Sequence, residues 1–172
     1  VRRYLGARGG NARFFWEEAR EGIDPLGPDN PLIFGVGTLT GTERGFAKAV
    51  AKSDTVIAGI GVFRGTFLFI DGDIKFTAYT EDGDMVKRGD VIAALEGKLM
   101  SILMAERVAL NFFQRMCGIA TMTKRLVDAV KGTGAKIIHT RKTAPGLRIL
   151  DTYAVRAAGG YSHRFGLFDG AL

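Results

Sequence analysis

The stretch "KLMSILMAERVALNFFQRM" (98–116) decides how the chain is read. Apolar residues fall at 99, 102, 103, 110, 113 and 116, with others between them. That spacing follows the 3.6-residue period and predicts a well-buried helix of about four to five turns. Glu106 and Arg107 interrupt its apolar flanks, and a charged pair on a buried helix is either a helix-end ion pair or an interface group. The pattern alone leaves both open.

Upstream of Lys98 the period is two. "GFAKAVAKSDTVIAGIGVF" (45–63) predicts a strand, a Ser-Asp turn and a second strand. "GTFLFID" (65–71) and "DIKFTAY" (73–79) are β-rich runs joined by Asp-Gly-Asp, a hairpin signal. "TEDGDMVKRGDVIAALEG" (80–97) gives two turns around short strands. "AGIGVFRG" (58–65) imitates a nucleotide-binding glycine fingerprint, but that motif must open a helix and a strand-like run follows, so close backbone packing is the better account. The turn pattern of 81–100 is also similar to biotinyl and lipoyl carrier domains, with Lys98 as the arm. Those domains carry the lysine at an exposed hairpin tip, whereas Lys98 here runs into an apolar helix.

Downstream, Gly118 is expected to end the first helix. "IATMTKRLVDAVKG" (119–132) then predicts a second, starting near Thr121 or Thr123 and stopping at Gly132. "KIIHTRKTAPGLR" (136–148) opens as a short apolar strand and turns into a loop dense in cations and hydroxyls. A third helix follows near 149–159, then a loop and the start of another strand. The expected fold class is α/β: an α+β sandwich followed by the start of an incomplete α/β barrel. The expected divisions are a head over 1–44, a sandwich over 45–132 and barrel elements over 133–172. Within the head, "NARFFWEEAR" (11–20) is read as a short helical patch, and "GIDPLGPDNP" (22–31), with three prolines, as turn or extended chain.

Composition narrows the function. The 172 residues carry a formal charge of +6, which suits anionic partners. The cations are scattered and do not alternate with aromatics, so a nucleic-acid groove is disfavoured. No apolar run is long enough to span a membrane, and "VRRYLGARGG" shows no signal-peptide core and no initiator Met. Cys117 is the one cysteine, so neither an internal disulfide nor a cysteine-rich metal site is expected, and its apolar neighbours favour a packed residue over a nucleophile.

In parallel α/β folds, ligands sit at the C-terminal ends of strands. "HTRKT" (139–143) lies at such an end. Arg141 offers a planar fork for a carboxylate, Lys142 a point charge for a phosphate, and Thr140 and Thr143 hydroxyls. "GGYSHRFG" (159–166) brings His163 and Arg164 to the same expected face as a second anion anchor.

With these residues in hand, "ERVALNFFQRMCGIATMT" (106–123), "TRKTAPGLR" (140–148) and "YAVRAAGGYSHRFGL" (153–167) resemble, in order and spacing, successive motifs of the quinolinate phosphoribosyltransferases, from about residue 45 onward. The resemblance implies an N-terminal open sandwich joined to an incomplete barrel, assembled as a homodimer or a larger assembly of dimers. It implies transfer of phosphoribosyl from phosphoribosyl pyrophosphate to quinolinate with Mg²⁺ and loss of carbon dioxide, giving nicotinate mononucleotide; the lone cysteine is consistent with a reducing, cytoplasmic setting. Arg141 and Arg164, helped by His163, would hold the quinolinate carboxylates. Lys142 would face the junction with the donor, and Arg107 would reach into the neighbouring subunit's site.

His139 stands where that family commonly has an acidic residue, and Ser162 where it has Asn. The Lys-Asp-Asn-His segment, later acidic residues and phosphate-binding loops of the family are not in the 172 residues, so the Mg²⁺ ligands are expected elsewhere and turnover is expected to be impaired. A molybdenum-transport-associated sister family shares some motifs and is the alternative, beside a carrier or interaction module. The head, "YLGARGGNARFFWEEAREGIDPLGPDNPLIFGVGTLTGT" (4–42), instead resembles the N-terminal segment of aldehyde ferredoxin oxidoreductases without their iron–sulfur cysteines, which sets an expected seam near 42–45.

Overall fold

A computed structural model of the chain describes residues 12–17 and 43–163. Two strands come first, β1 (Ala12–Glu17) and β2 (Arg44–Ala51), followed by the short β3 (Thr55–Val56), the helix α1 (Ile60–Ile70) and β4 (Lys75–Ala78). The short β5 (Met85–Val86) and β6 (Val91–Lys98) lead into the long helix α2 (Leu99–Ala129), and α3 (Arg148–Ala157) closes the described elements. The arrangement is mixed α/β, as the sequence predicts.

The main sheet runs β1-β2-β6-β4 and is antiparallel at every pairing. β2 alternates cleanly: Gly45, Ala47, Ala49 and Ala51 are buried while Arg44, Phe46 and Lys48 face out. The buried side is made of small residues because α2 lies against this face. A Cβ at Gly45 would land on the Leu99 side chain. Ala12 pairs with Ala51 and Glu17 with Phe46, so the patch read as helical in the head is an edge strand. Its Phe14-Phe15-Trp16 run favours extended backbone, and β2 offers an open edge to pair with.

The largest departure from expectation is α1. The run read as the first arm of a hairpin is helical, and Asp-Gly-Asp ends that helix instead of turning a hairpin. Asp71 N–H donates to the Phe67 carbonyl at 3.0 Å, and the Asp71 carboxylate accepts from Asp73 N–H at 3.0 Å. Tertiary packing decides the matter. Phe63 and Phe67, one turn apart, are both fully buried. Their rings meet edge-on at 5.1 Å, and Phe63 stacks on Phe113 of α2 at 4.8 Å. As a strand, residues four apart would share a face but stand about 13 Å apart, so the two rings could not meet.

The glycine-rich stretch 58–65 therefore does follow a strand and open a helix, contrary to the reason for setting it aside. Its helix end is already occupied: Ile60 N–H donates to Asp82 Oδ1 at 2.9 Å. Gly59 adopts φ 88°, and a Cβ there would fall on Met116 Sδ, so close packing does explain this glycine.

α2 is one unbroken helix of 31 residues, and Gly118 lies inside it. The expected break is absent because a single glycine costs a helix only about 1 kcal/mol. Met116, Cys117, Ala120 and Thr121 on both sides are buried and hold the turn in place. Two apolar clusters flank this point. One joins the sheet, α1 and α2 through Phe113 and Cys117; the other joins Val56, Ala58, Met116 and Ala120 to Ala154 and Ala158 on and just after α3.

The apolar run 136–139 contributes a parallel bridge, Ile138 to Tyr161. Tyr161 N–H donates to the Ile137 carbonyl at 2.8 Å, and His139 N–H to the Tyr161 carbonyl at 3.3 Å. Strand, α3 and returning strand form the expected β-α-β unit in short form. No described helix is long and apolar enough to cross a membrane.

Candidate functional site

The parallel bridge sets the geometry. Both segments run the same way, so the residues that follow them, 140–143 and 162–163, leave at the same end of the sheet. Thr140, Arg141 and Lys142 are exposed there, and His163 is half-buried beside them. His163 N–H donates to His139 Nε2 at 3.0 Å, and the two imidazole rings lie 6.5 Å apart. The structure thus brings Thr140, Arg141, Lys142 and His163 together; Arg164 lies outside the described residues.

The loop is ordered from within. Lys142 N–H donates to Thr140 Oγ1 at 3.2 Å, a local hydroxyl turn. Gly146 takes φ 75°, which lets the chain reverse into α3. Arg148, in the first turn of α3, donates from Nε to Thr143 Oγ1 at 3.3 Å and from Nη2 to the Arg141 carbonyl at 3.4 Å. Sequence reading left Arg148 without a task. Its signal was its place just past Pro145-Gly146, where a side chain can reach back over the loop it closes.

Among the described residues, neither Arg141 nor Lys142 has a carboxylate within ion-pair distance. The nearest acid on α3, Asp151, is taken: Arg115 of α2 binds it through Nε and Nη2, both at 2.7 Å. Among the described residues, the strand end therefore presents uncompensated positive charge and hydroxyls. That set can hold a planar carboxylate or a phosphate.

α3 is fixed from a second side by Asp82, which the sequence reading also missed. Tyr153 Oη donates to Asp82 Oδ2 at 2.5 Å while Oδ1 caps α1. This hydrogen bond to the carboxylate, with its charge, pushes the Tyr153 phenol above its ordinary range.

Arg107 is exposed on α2, and among the described residues no hydrogen bond or ion pair joins it to residues 139–143 or 163. Its neighbour Glu106 is only 5% exposed, and Oε1 has no hydrogen-bond partner. Burial pushes that carboxyl above its ordinary range, and the Arg107 charge opposes the shift. The two do not form a salt bridge. Cys117 is buried between α2 and Ala58, and burial pushes its thiol up to about 12, so it is no nucleophile. Lys98 ends β6 at the junction with α2, with Nζ 3.7 Å from Asp71 Oδ2, and not at a hairpin tip; the carrier reading fails there.

Known proteins agree with this arrangement. Two domain models of one family match end to end: "Quinolinate phosphoribosyl transferase, N-terminal domain" over residues 35–117 and "Quinolinate phosphoribosyl transferase, C-terminal domain" over 119–172. The chain belongs to the quinolinate phosphoribosyltransferase family. It is 46% identical over 143 residues to a probable nicotinate-nucleotide pyrophosphorylase [carboxylating] of Bacillus subtilis (strain 168), covering 80% of this chain and 50% of that protein. It is 48% identical over 123 residues to the mitochondrial quinolinate phosphoribosyltransferase [decarboxylating] 2b of Nicotiana tabacum, covering 72% and 34%. Among solved structures, NadC from Streptococcus pyogenes superposes with a TM-score of 0.70 at 41% identity, covering 73% of this chain and 46% of that one. The nicotinate-nucleotide pyrophosphorylase from Francisella tularensis gives 0.71 at 34%, covering 78% and 50%. The chain spans half or less of the length of these relatives. The N-terminal match begins at residue 35, inside the segment set apart as the head. The boundary between the two models falls in the middle of α2.

Proposed function

We propose that this chain carries the quinolinate-binding strand ends of a quinolinate phosphoribosyltransferase, forming nicotinate mononucleotide, carbon dioxide and pyrophosphate from quinolinate and phosphoribosyl pyrophosphate. The observation that carries this reading is the uncompensated pair Arg141 and Lys142, beside His163, at the shared end of two parallel segments in a chain of this family. Arg141 offers its fork to one ring carboxylate. His163, Arg164 and the Thr140 hydroxyl serve the other. Lys142 stands for the junction with the phosphoribosyl donor.

The chemistry asks for such groups. Ribosyl transfer passes through a cationic, oxocarbenium-like state as pyrophosphate leaves, so positioning and charge neutralisation dominate. Loss of carbon dioxide then leaves negative charge on the ring carbon, which nearby cations stabilise. A magnesium ion takes carboxylate and water oxygens. The described strand-end residues are cations and hydroxyls, and among the described residues no group of three His, Cys, Asp or Glu converges. They do not fit the metal.

A homodimer in which Arg107 serves the partner's site is part of the proposal. It is supported by the exposed row Met100, Met104 and Val108 on α2 beside Arg107, spaced one turn apart. A reducing, cytoplasmic setting is consistent with one buried thiol.

Calorimetry with quinolinate tests the site. Binding that Arg141→Ala weakens at least about tenfold, the value of a charge-assisted pair, supports the reading. Unchanged binding in Arg141→Ala, with the melting temperature retained, refutes it.

A further inference from the structure

We infer that His139 is a positioning residue for His163, its unprotonated Nε2 standing in for a backbone carbonyl in the parallel ladder. This rests on the anion-site reading above for its functional meaning, but not for its geometry.

The ladder shows the substitution. In a parallel pair, one residue donates and accepts alternately across evenly spaced, slanted bonds. Tyr161 N–H bonds the Ile137 carbonyl, and His139 N–H bonds the Tyr161 carbonyl. The next rung in that register would join His163 N–H to the His139 carbonyl. Instead His163 N–H donates to the His139 imidazole, at 3.0 Å. The ring is wedged between the two segments where they part, so it fixes both the spread of the loops and the backbone of His163.

Two contacts agree on the tautomer. Nε2 accepts from His163, so it carries no proton. Nδ1 lies 3.4 Å from the Thr140 carbonyl and carries the hydrogen that faces it. Adding a proton to Nε2 sets two N–H groups against each other and removes the rung.

Among the described residues, the charged and titratable groups around the ring are these. Arg141 and Lys142 follow it in the loop, and Arg148 reaches that loop from α3. Lys136 lies over the Tyr161 ring at the other end of the segment, and His163 faces it. None of these described groups is a carboxylate. The consequence is a quinolinate site whose second wall, the Ser162-His163 segment, is held in place by the His139 ring.

Nitrogen-edited NMR on the whole chain, with His139→Gln and His139→Leu, tests this. The His163 amide is expected to be protected from solvent exchange in the native protein and in the Gln variant, whose amide oxygen accepts in place of Nε2, and to lose that protection in the Leu variant, which has no acceptor. Quinolinate binding should weaken about fivefold in the Leu variant, the worth of one hydrogen bond, and stay near native in the Gln variant. A His163 amide that keeps its native protection in the Leu variant overturns the inference. Should Arg141→Ala leave binding unchanged, the anion-site reading falls, while the amide protection still decides the rung.

Discussion

Arg115 and Asp151 lock α2 to α3 through two parallel N–H to oxygen bonds, both 2.7 Å long. Asp151 sits in the first turn of α3, where the exposed N–H groups favour negative charge, and its side chain is 10% exposed. The carboxylate in turn holds the Arg115 guanidinium above its ordinary range. The pair fixes the start of α3 and hence the loop whose cations it anchors. Arg115→Ala strands a largely buried carboxylate and is expected to cost about 2–4 kcal/mol. Asp151→Ala leaves only a more exposed guanidinium and should cost less, about 1–2 kcal/mol. Chemical denaturation checks the order, and the double variant should lose less than the sum of the two.

Thr121 is the next point of control. Its hydroxyl donates to the Cys117 carbonyl at 2.7 Å and accepts from Val56 N–H at 2.9 Å and from Thr55 Oγ1 at 2.8 Å. All of this is buried. Thr121→Val keeps the shape but orphans the Val56 N–H, so a loss of about 1–3 kcal/mol is expected. Thr55→Val removes one hydroxyl and leaves Thr121 its other two bonds, so its cost should be smaller. Thermal melts of the two variants give the comparison.

Glu106 predicts a pH dependence. Its folded carboxyl is raised above the ordinary 4.5 by burial. Below that value the group is protonated in both states and adds no penalty. As pH rises, the unfolded chain ionises first, so stability is lost through the window up to the folded value and then levels off. Glu106→Gln should match the native protein near pH 4 and exceed its stability at pH ~8. Denaturation midpoints at the two pH values measure this; equal differences at both would contradict it.

Cys117 should resist thiol reagents in the native state. Its Sγ accepts from Ala58 N–H at 3.4 Å in a buried site, and the thiol is pushed up to about 12. A disulfide reagent at pH ~8 is expected to label it only at the rate of unfolding, with full reaction in denaturant.

How much of this was legible depended on where the deciding contact lay in sequence. β2, β3, β4 and β6 follow from alternation and turn residues, both local signals. The strand-end cations were legible because strand, loop and helix follow one another within 136–159. α1 was misread because its helical state depends on Phe113, fifty residues away, and on a cap from Asp82. Gly118 misled because a glycine's local cost is smaller than the packing on either side of it. Arg148 and the His139 rung are matters of side-chain reach and leave no periodic trace. Arg107 was left open by pattern, and no hydrogen bond or ion pair joins it to the strand end among the described residues.

The continuity of α2 has a mechanical meaning. Adjacent residues, Met116 and Cys117, belong to different apolar clusters, yet they sit on one hydrogen-bonded rod about 46 Å long. The two family domains therefore share an axle and have no hinge within α2. Melting either cluster withdraws support from the turn that the other needs, so the halves should come apart in a single cooperative step, and a cut near Gly118 would cripple both at once.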